Sequence, residues 1–356
     1  MDDETRARRA AATDSFLGNG LERPAELIAS IGTDIDPDFY GDGGVVTTLE
    51  DHVAEVLGKP AAVFLPSGTM AQAATLRVHA DRRARRTVLW HPHCHLAAQH
   101  EGEAHARLHG LVGRAAGDMA SLLTLADLER VAEPPAAVVW ELPQRDLGGQ
   151  LPAWDDLVAQ VAWARGRGAA AHADGARLWE ATAGYERTAA ELAGLFDTIY
   201  VSFYKGVGAL PGCCVAGPAD IVAEVREWRQ RLGGTLFALW PQAASALNLL
   251  PGTLAEMPAR MAHARAIAAA VAELPSVRVV PDPPHTPMMH FLLAVDADGY
   301  RANAKRITEE TGLWLPAQAA ATGDPGVVRI ELSVGRATLG HKPDFIAATL
   351  ATLTAR

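Results

Sequence analysis

Asp197-Thr198-Ile199-Tyr200-Val201-Ser202-Phe203-Tyr204-Lys205-Gly206-Val207-Gly208 is an apolar, β-rich run that ends on a lysine and breaks at once into glycines. A continuous apolar run bounded by turn residues reads as a buried strand, here Thr198–Phe203. Outward from it the pattern repeats. Ala61–Leu65, Thr87–Trp90, Ala136–Glu141 and Ala169–Ala173 are further strand candidates, and Thr69–Arg82, Leu125–Val131 and Trp154–Arg165 are helical stretches between them. Strands alternating with helices predict βαβ units, hence an α/β fold with a mostly parallel sheet flanked by helices. Such sheets bind ligands at the carboxyl ends of their strands.

Past Leu210 the pattern changes. Helical stretches Ile221–Arg231 and Pro258–Leu274 precede a strand at Met288–Val295, a helix at Tyr300–Thr311, a strand at Val327–Val334 and a helix at Pro343–Leu353. We expect an N-terminal segment over 1–40, a large domain over 41–250 and a smaller α+β domain over 251–356. At 356 residues the chain has material for two cores.

Bulk properties exclude several classes. A formal charge of −10 argues against nucleic acid, which needs a concentrated positive face. The basic run Arg82-Arg83-Ala84-Arg85-Arg86 reads as a solvated helix end. Cys94, Cys213 and Cys214 make no disulfide framework, so the chain reads as reduced and cytoplasmic. No apolar run approaches the ~18 residues of a membrane span.

Four segments carry chemistry. Pro66-Ser67-Gly68-Thr69 leads a strand into a helix, a turn whose free N–H groups suit a phosphate; a plain helix cap is the alternative. In His172-Ala173-Asp174-Gly175-Ala176-Arg177, a carboxylate ends a buried strand and needs a cation. A protonated pyridine nitrogen is one such cation, and Arg177 is another. Lys205 ends its own strand; burial would free its amine to form a Schiff base, whereas a snorkelling surface lysine would do nothing. Gly206 and Gly208 would leave room for a ring. The histidines His91, His93, His95, His100, His105 and His109 form the last group. His91 and His93 with His172 imitate a metal-dependent hydrolase. Alternatively one imidazole stacks on a planar cofactor, with His105 and His109 solvated.

Taken in order, Tyr40-Gly41-Asp42, Pro66-Ser67-Gly68-Thr69-Met70-Ala71, His95, Asp174-Gly175-Ala176-Arg177 and Lys205-Gly206-Val207-Gly208 resemble the threonine aldolases, or β-eliminating lyases. The resemblance spans about Tyr40 to Arg336. It implies an aspartate-aminotransferase-like fold, pyridoxal 5'-phosphate as cofactor, a small amino-acid substrate and a homodimer or homotetramer. It implies that Lys205 holds the cofactor, Asp174 pairs with the ring nitrogen, and His95 stacks on the ring and assists the substrate hydroxyl. Ser67, Gly68 and Thr69 would hold the phosphate, Arg177 would lie near the ring oxygen and substrate carboxylate, and Arg329 would grip that carboxylate.

The implied reaction is cleavage of a β-hydroxy-α-amino acid to glycine and an aldehyde. β-Elimination, racemisation or transamination would keep the cofactor and change the bond, and a non-catalytic homologue would keep only the fold. The chain also departs from the family. Tyr204 stands where a serine precedes the lysine, which shifts a phosphate role to Ser202. Gln144 replaces a second histidine as the substrate-side residue. Phe237 ends a stretch that lacks its arginine, and Leu332-Ser333 replaces Thr-His. Cofactor residues persist while substrate-side residues change.

Overall fold

The computed structural model describes residues 3–97, 101–316 and 319–355. It divides into two compact units, one of residues 24–146 and 151–255, the other of residues 1–23, 147–150 and 256–356.

The first unit is built on a seven-stranded sheet. Its strands are β1 Ala61–Leu65, β2 Thr87–Trp90, β3 Val112–Ala115, β4 Ala137–Glu141, β5 Ala170–Gly175, β6 Thr198–Ser202 and β7 Cys213–Gly217. Their spatial order is β1-β7-β6-β5-β4-β2-β3. Pairings β6–β5, β5–β4, β4–β2 and β2–β3 are parallel, and only β7 runs antiparallel to its neighbours β1 and β6. Strands β2, β5, β6 and β7 are buried throughout. That is the mark of a sheet covered by helices on both faces, and it is why they read as unbroken apolar runs. The carboxyl ends of β1, β2, β4, β5 and β6 therefore share one edge.

Helix Gly68–Arg83 leaves β1 and ends on Ala84 in the left-handed conformation. The basic run is its C-terminal end, as expected. Arg82 pairs with Asp220 and Glu224 and Arg86 with Asp81, all partly exposed pairs that contribute little each. Helix Trp154–Gly166 and helix Ala219–Arg231 cover further sheet surface.

The second unit carries an antiparallel sheet of β8 Val277–Val280, β9 Met288–Leu293, β10 Ala320–Ala321 and β11 Val328–Ser333, in the order β10-β11-β9-β8. Helices Ala297–Thr311 and Pro343–Leu353 pack on it around Phe291, Tyr300, Ile346 and Leu350. Phe16 belongs to this core, and Gly18 bridges to Val334. Residues 1–23 are thus part of this unit, and the expected separate segment over 1–40 is not seen: its remainder belongs to the large unit. The helix expected over Pro258–Leu274 is part of a longer one, Trp240–Val271.

The three cysteines are unpaired and buried. Among the described residues no helix is long and apolar enough to cross a membrane.

Candidate active site

A cavity of about 200 Å³ opens at the carboxyl edge of the large sheet. Most wall residues come from a strand near its carboxyl end or from the segment that follows it. After β1 come Pro66, Ser67, Gly68 and Thr69; after β2, His95 and Glu101; from β4 onward, Glu141 and Arg145. Strand β5 and its exit supply Asp174, Ala176 and Arg177, and β6 and its exit supply Tyr200, Tyr204 and Lys205.

The β1 exit is a close-packed cradle. Helix Gly68–Arg83 starts with no side-chain cap on its first N–H groups, because Ser67 makes no capping bond. Those donors and the positive helix end face the cavity. A Cβ on Gly68 would lie 2.4 Å from the Tyr200 hydroxyl, so only glycine fits. Tyr200 and Tyr204 share a hydrogen bond, and burial pushes both phenols up.

Asp174 is buried and accepts the Ala176 N–H at 3.1 Å. Burial lifts its pKa to about 6, although His95 and Lys205 oppose the rise. Such a carboxylate is poised to take a cationic partner. Glu141, beneath His95, accepts the N–H groups of His95 and Arg145, both at 3.1 Å. Burial and the neighbouring Asp174 still push it up to about 8.

His95 Nδ1 lies 2.9 Å from Glu101 Oε1, and this bond raises the imidazole pKa against the effect of burial. The carboxylate accepts the Nδ1 proton, so the lone pair of neutral His95 sits at Nε2. Lys205 is half-buried, not fully enclosed as its apolar strand suggested, and its Nζ is 5.1 Å from the Tyr204 ring. Gly206 answers a need other than room for a ring: a Cβ there would strike Glu180 at 2.2 Å.

Of the expected residues, Ser67, Gly68, Thr69, His95, Asp174, Arg177 and Lys205 meet in this cavity. Ser202 and Gln144 are off its wall. Ser202 is fully buried in β6 with no hydrogen-bond partner for its hydroxyl among the described residues. Gln144 is buried and points its amide at the His93 carbonyl, 3.4 Å away. Arg329 lies half-buried on β11 of the other unit.

The metal-hydrolase reading fails on the ring nitrogens. His172 is engaged at both, with Thr198 at 2.8 Å and Gln72 at 2.6 Å. His91 is engaged at both too, with the Ser121 carbonyl and the His93 N–H. Among the described residues no group of His, Cys, Asp and Glu is placed to hold a metal. His105 and His109 are buried against Trp90 and Trp228 rather than solvated. His100 lies outside the described residues.

Sequence reasoning did not single out Glu101, Glu141, Arg145, Tyr200 and Gln72. Glu141 and Tyr200 could have been found from their place at strand carboxyl ends. Glu101 and Arg145 sit in irregular segments where no periodicity points.

The β-eliminating lyase family model matches residues 25–295. The chain belongs to the β-eliminating lyase family. This lyase is 34% identical to a candidate L-allo-threonine aldolase of Listeria monocytogenes, with a TM-score of 0.91 over 98% of this chain and 99% of that one. It is 35% identical to a candidate aromatic amino acid β-eliminating lyase/threonine aldolase of an Exiguobacterium species, at TM-score 0.91 and 99% of each chain. An aldolase of Penicillium aethiopicum is 31% identical over 266 residues, 72% of this chain and 67% of its own.

Proposed function

We propose that this lyase cleaves β-hydroxy-α-amino acids to glycine and an aldehyde, with pyridoxal phosphate held in the cavity at the carboxyl edge of the large sheet. The observation that carries it is the wall itself: an uncapped helix start at Gly68, the buried carboxyl of Asp174 and the amine of Lys205 line one cavity. They match a phosphate, a protonated ring nitrogen and an aldehyde respectively. Ser67, Gly68 and Thr69 would take the phosphate, Asp174 would hold a proton on the ring nitrogen, and Lys205 would hold the aldehyde carbon.

When bound, the cofactor supplies an electron sink for the pair left on Cα. The protein's own part is binding, orientation and proton handling. Arg177 and Arg145 place guanidinium groups on the cavity wall for a substrate carboxylate. His95 Nε2 is the base for the β-hydroxyl: it takes the proton as the Cα–Cβ bond breaks and the aldehyde departs. Glu101, bound at Nδ1, fixes the tautomer and stabilises the charged imidazole. Glu141 fixes the backbone of His95 and Arg145, so base and carboxylate anchor keep their places.

Similarity to a threonine aldolase and an L-allo-threonine aldolase supports the substrate class. The test is incubation of the purified protein with threonine, allo-threonine and phenylserine, with assay of glycine and aldehyde. Product from at least one is expected; product from none contradicts the reading.

A further inference from the structure

Beneath the cavity runs a buried line of polar side chains that the chemistry above does not use. Gln72, His79 and Arg83 lie along one side of helix Gly68–Arg83, at spacings that repeat on a helix face. His172 on β5 and Thr198 on β6 face them as directly paired residues of adjacent strands. His79 Nε2 is 2.8 Å from Thr198 Oγ1, His172 Nδ1 is 2.8 Å from the same oxygen, and His172 Nε2 is 2.6 Å from Gln72 Oε1. Arg83 Nη1 reaches His79 Nδ1 at 3.4 Å. His79, His172 and Thr198 are wholly buried, and Gln72 is 2% exposed and lines the cavity.

The donor inventory allows only one direction along this line. A guanidinium has no acceptor, so His79 Nδ1 accepts from Arg83 and His79 carries its proton at Nε2. Nε2–H donates to Thr198 Oγ1. The threonine hydroxyl then donates onward to His172 Nδ1, and His172 Nε2–H donates to Gln72 Oε1. Burial pushes both histidines down to about 3, so each is neutral at pH 7 with one donor and one acceptor. With its oxygen committed to His172, the Gln72 amide turns its NH₂ away from that contact, and Gln72 lines the cavity.

We infer that Gln72 is a hydrogen-bond donor to an oxygen of the phosphate-bearing cofactor, aimed into the cavity by the relay Arg83–His79–Thr198–His172. This rests on the reading of the cavity as the pyridoxal-phosphate site. Gln72 is one helical turn beyond Gly68 and Thr69, so its donors extend the same cradle.

Two measurements test it. The first is the ¹⁵N spectrum of the imidazoles in the ligand-free protein at pH 7. His79 and His172 should both be neutral with the proton on Nε2; a protonated ring, or a proton on Nδ1 of either, overturns the relay. The second is the affinity for pyridoxal phosphate, by equilibrium dialysis, of wild type, Gln72→Glu, Thr198→Val and Thr198→Ser. Gln72→Glu keeps an acceptor for His172 and loses the donor, and Thr198→Val cuts the line; each should weaken binding about 10-fold. Thr198→Ser keeps the hydroxyl and should bind like wild type. Tight binding by Gln72→Glu, or Thr198→Ser as weak as Thr198→Val, overturns the proposal. Should Thr198→Val fail to fold, the wild-type spectrum and Gln72→Glu decide. A wild type with the expected spectrum but no affinity for pyridoxal phosphate overturns the functional reading, and with it the ligand named for Gln72, while the relay stands.

Discussion

At the scale of single residues, His95 and Glu101 act as a pair. The Nδ1 bond to Glu101 holds the His95 pKa above its ordinary 6.5. In the proposed role the His95 imidazole must be neutral to take the proton, so activity should rise with pH through that raised value. Glu101→Gln removes the acceptor that favours the charged ring, and the acidic limb of the pH profile of kcat/KM should move to lower pH. An unmoved limb would show that the pair does not set it. His95→Ala should lower kcat by about 10²–10⁴-fold, the usual worth of a positioned base, with cofactor still bound. Lys205, Asp174, His95 and the Ser67-Gly68-Thr69 turn were legible because each stands beside a strand end in a short, chemically specific motif. Ser202 and Gln144 lie off the cavity wall for a local reason: each stands beside an altered neighbour, Ser202 is buried within β6, and Gln144 turns its amide to the His93 carbonyl. Glu101 was invisible because a carboxylate among irregular residues carries no pattern until the fold brings it to His95.

At the scale of elements, the β1 exit and β6 are fitted to each other at Gly68 and Tyr200. Gly68→Ala would push a methyl group against the Tyr200 hydroxyl and should destabilise the protein by about 1–3 kcal/mol. In a Tyr200→Phe background the oxygen is gone, so the same substitution should cost less. Equal costs in the two backgrounds, measured by chemical denaturation, would contradict the contact. Strands β1, β2, β4, β5 and β6 were readable because burial on both faces makes them continuous apolar runs. Strand β7 was not, because Cys213–Gly217 is short and follows Lys205 through a glycine-rich turn that looks like the end of a unit. Strand β3 was missed for the opposite reason: it is an exposed edge, Val-Gly-Arg-Ala, without an apolar face. The antiparallel direction of β7 follows no local signal and is settled by pairing with β1 and β6.

At the scale of the whole molecule, acid stability should reflect opposing groups in the ligand-free protein. His79 and His172 have folded pKa values of about 3 against an ordinary 6.5, so the stability they confer is full above pH 6.5 and falls as pH drops toward 3. Glu141 and Asp174 are raised to about 8 and about 6, so acid favours their folded forms over the same range. Each group changes stability by ~1.4 kcal/mol per pH unit where only one state is protonated. Between about pH 6 and 4.5 the two histidines and the two carboxyls offset one another. Glu141→Gln removes one compensating group, so the variant should lose stability on acidification faster than wild type; parallel pH profiles would contradict this. The resemblance also predicts a homodimer or homotetramer, which a monomer in sedimentation equilibrium would contradict. The α/β plan of a mostly parallel sheet flanked by helices was legible from the alternation of strands and helices. The assignment of residues 1–23 to the unit of β8–β11 was not, since Phe16 finds its core only across more than two hundred residues of chain.

The central claim is that Lys205 holds pyridoxal phosphate in the cavity at the carboxyl edge of the large sheet. It is tested most directly by the absorbance spectra of wild type and Lys205→Ala after addition of pyridoxal phosphate, before and after borohydride. Wild type should gain a visible band that borohydride bleaches, with the cofactor then fixed to Lys205, and Lys205→Ala should retain none of it after dialysis. A wild type without the band, or a variant whose cofactor is fixed equally well, would contradict the account.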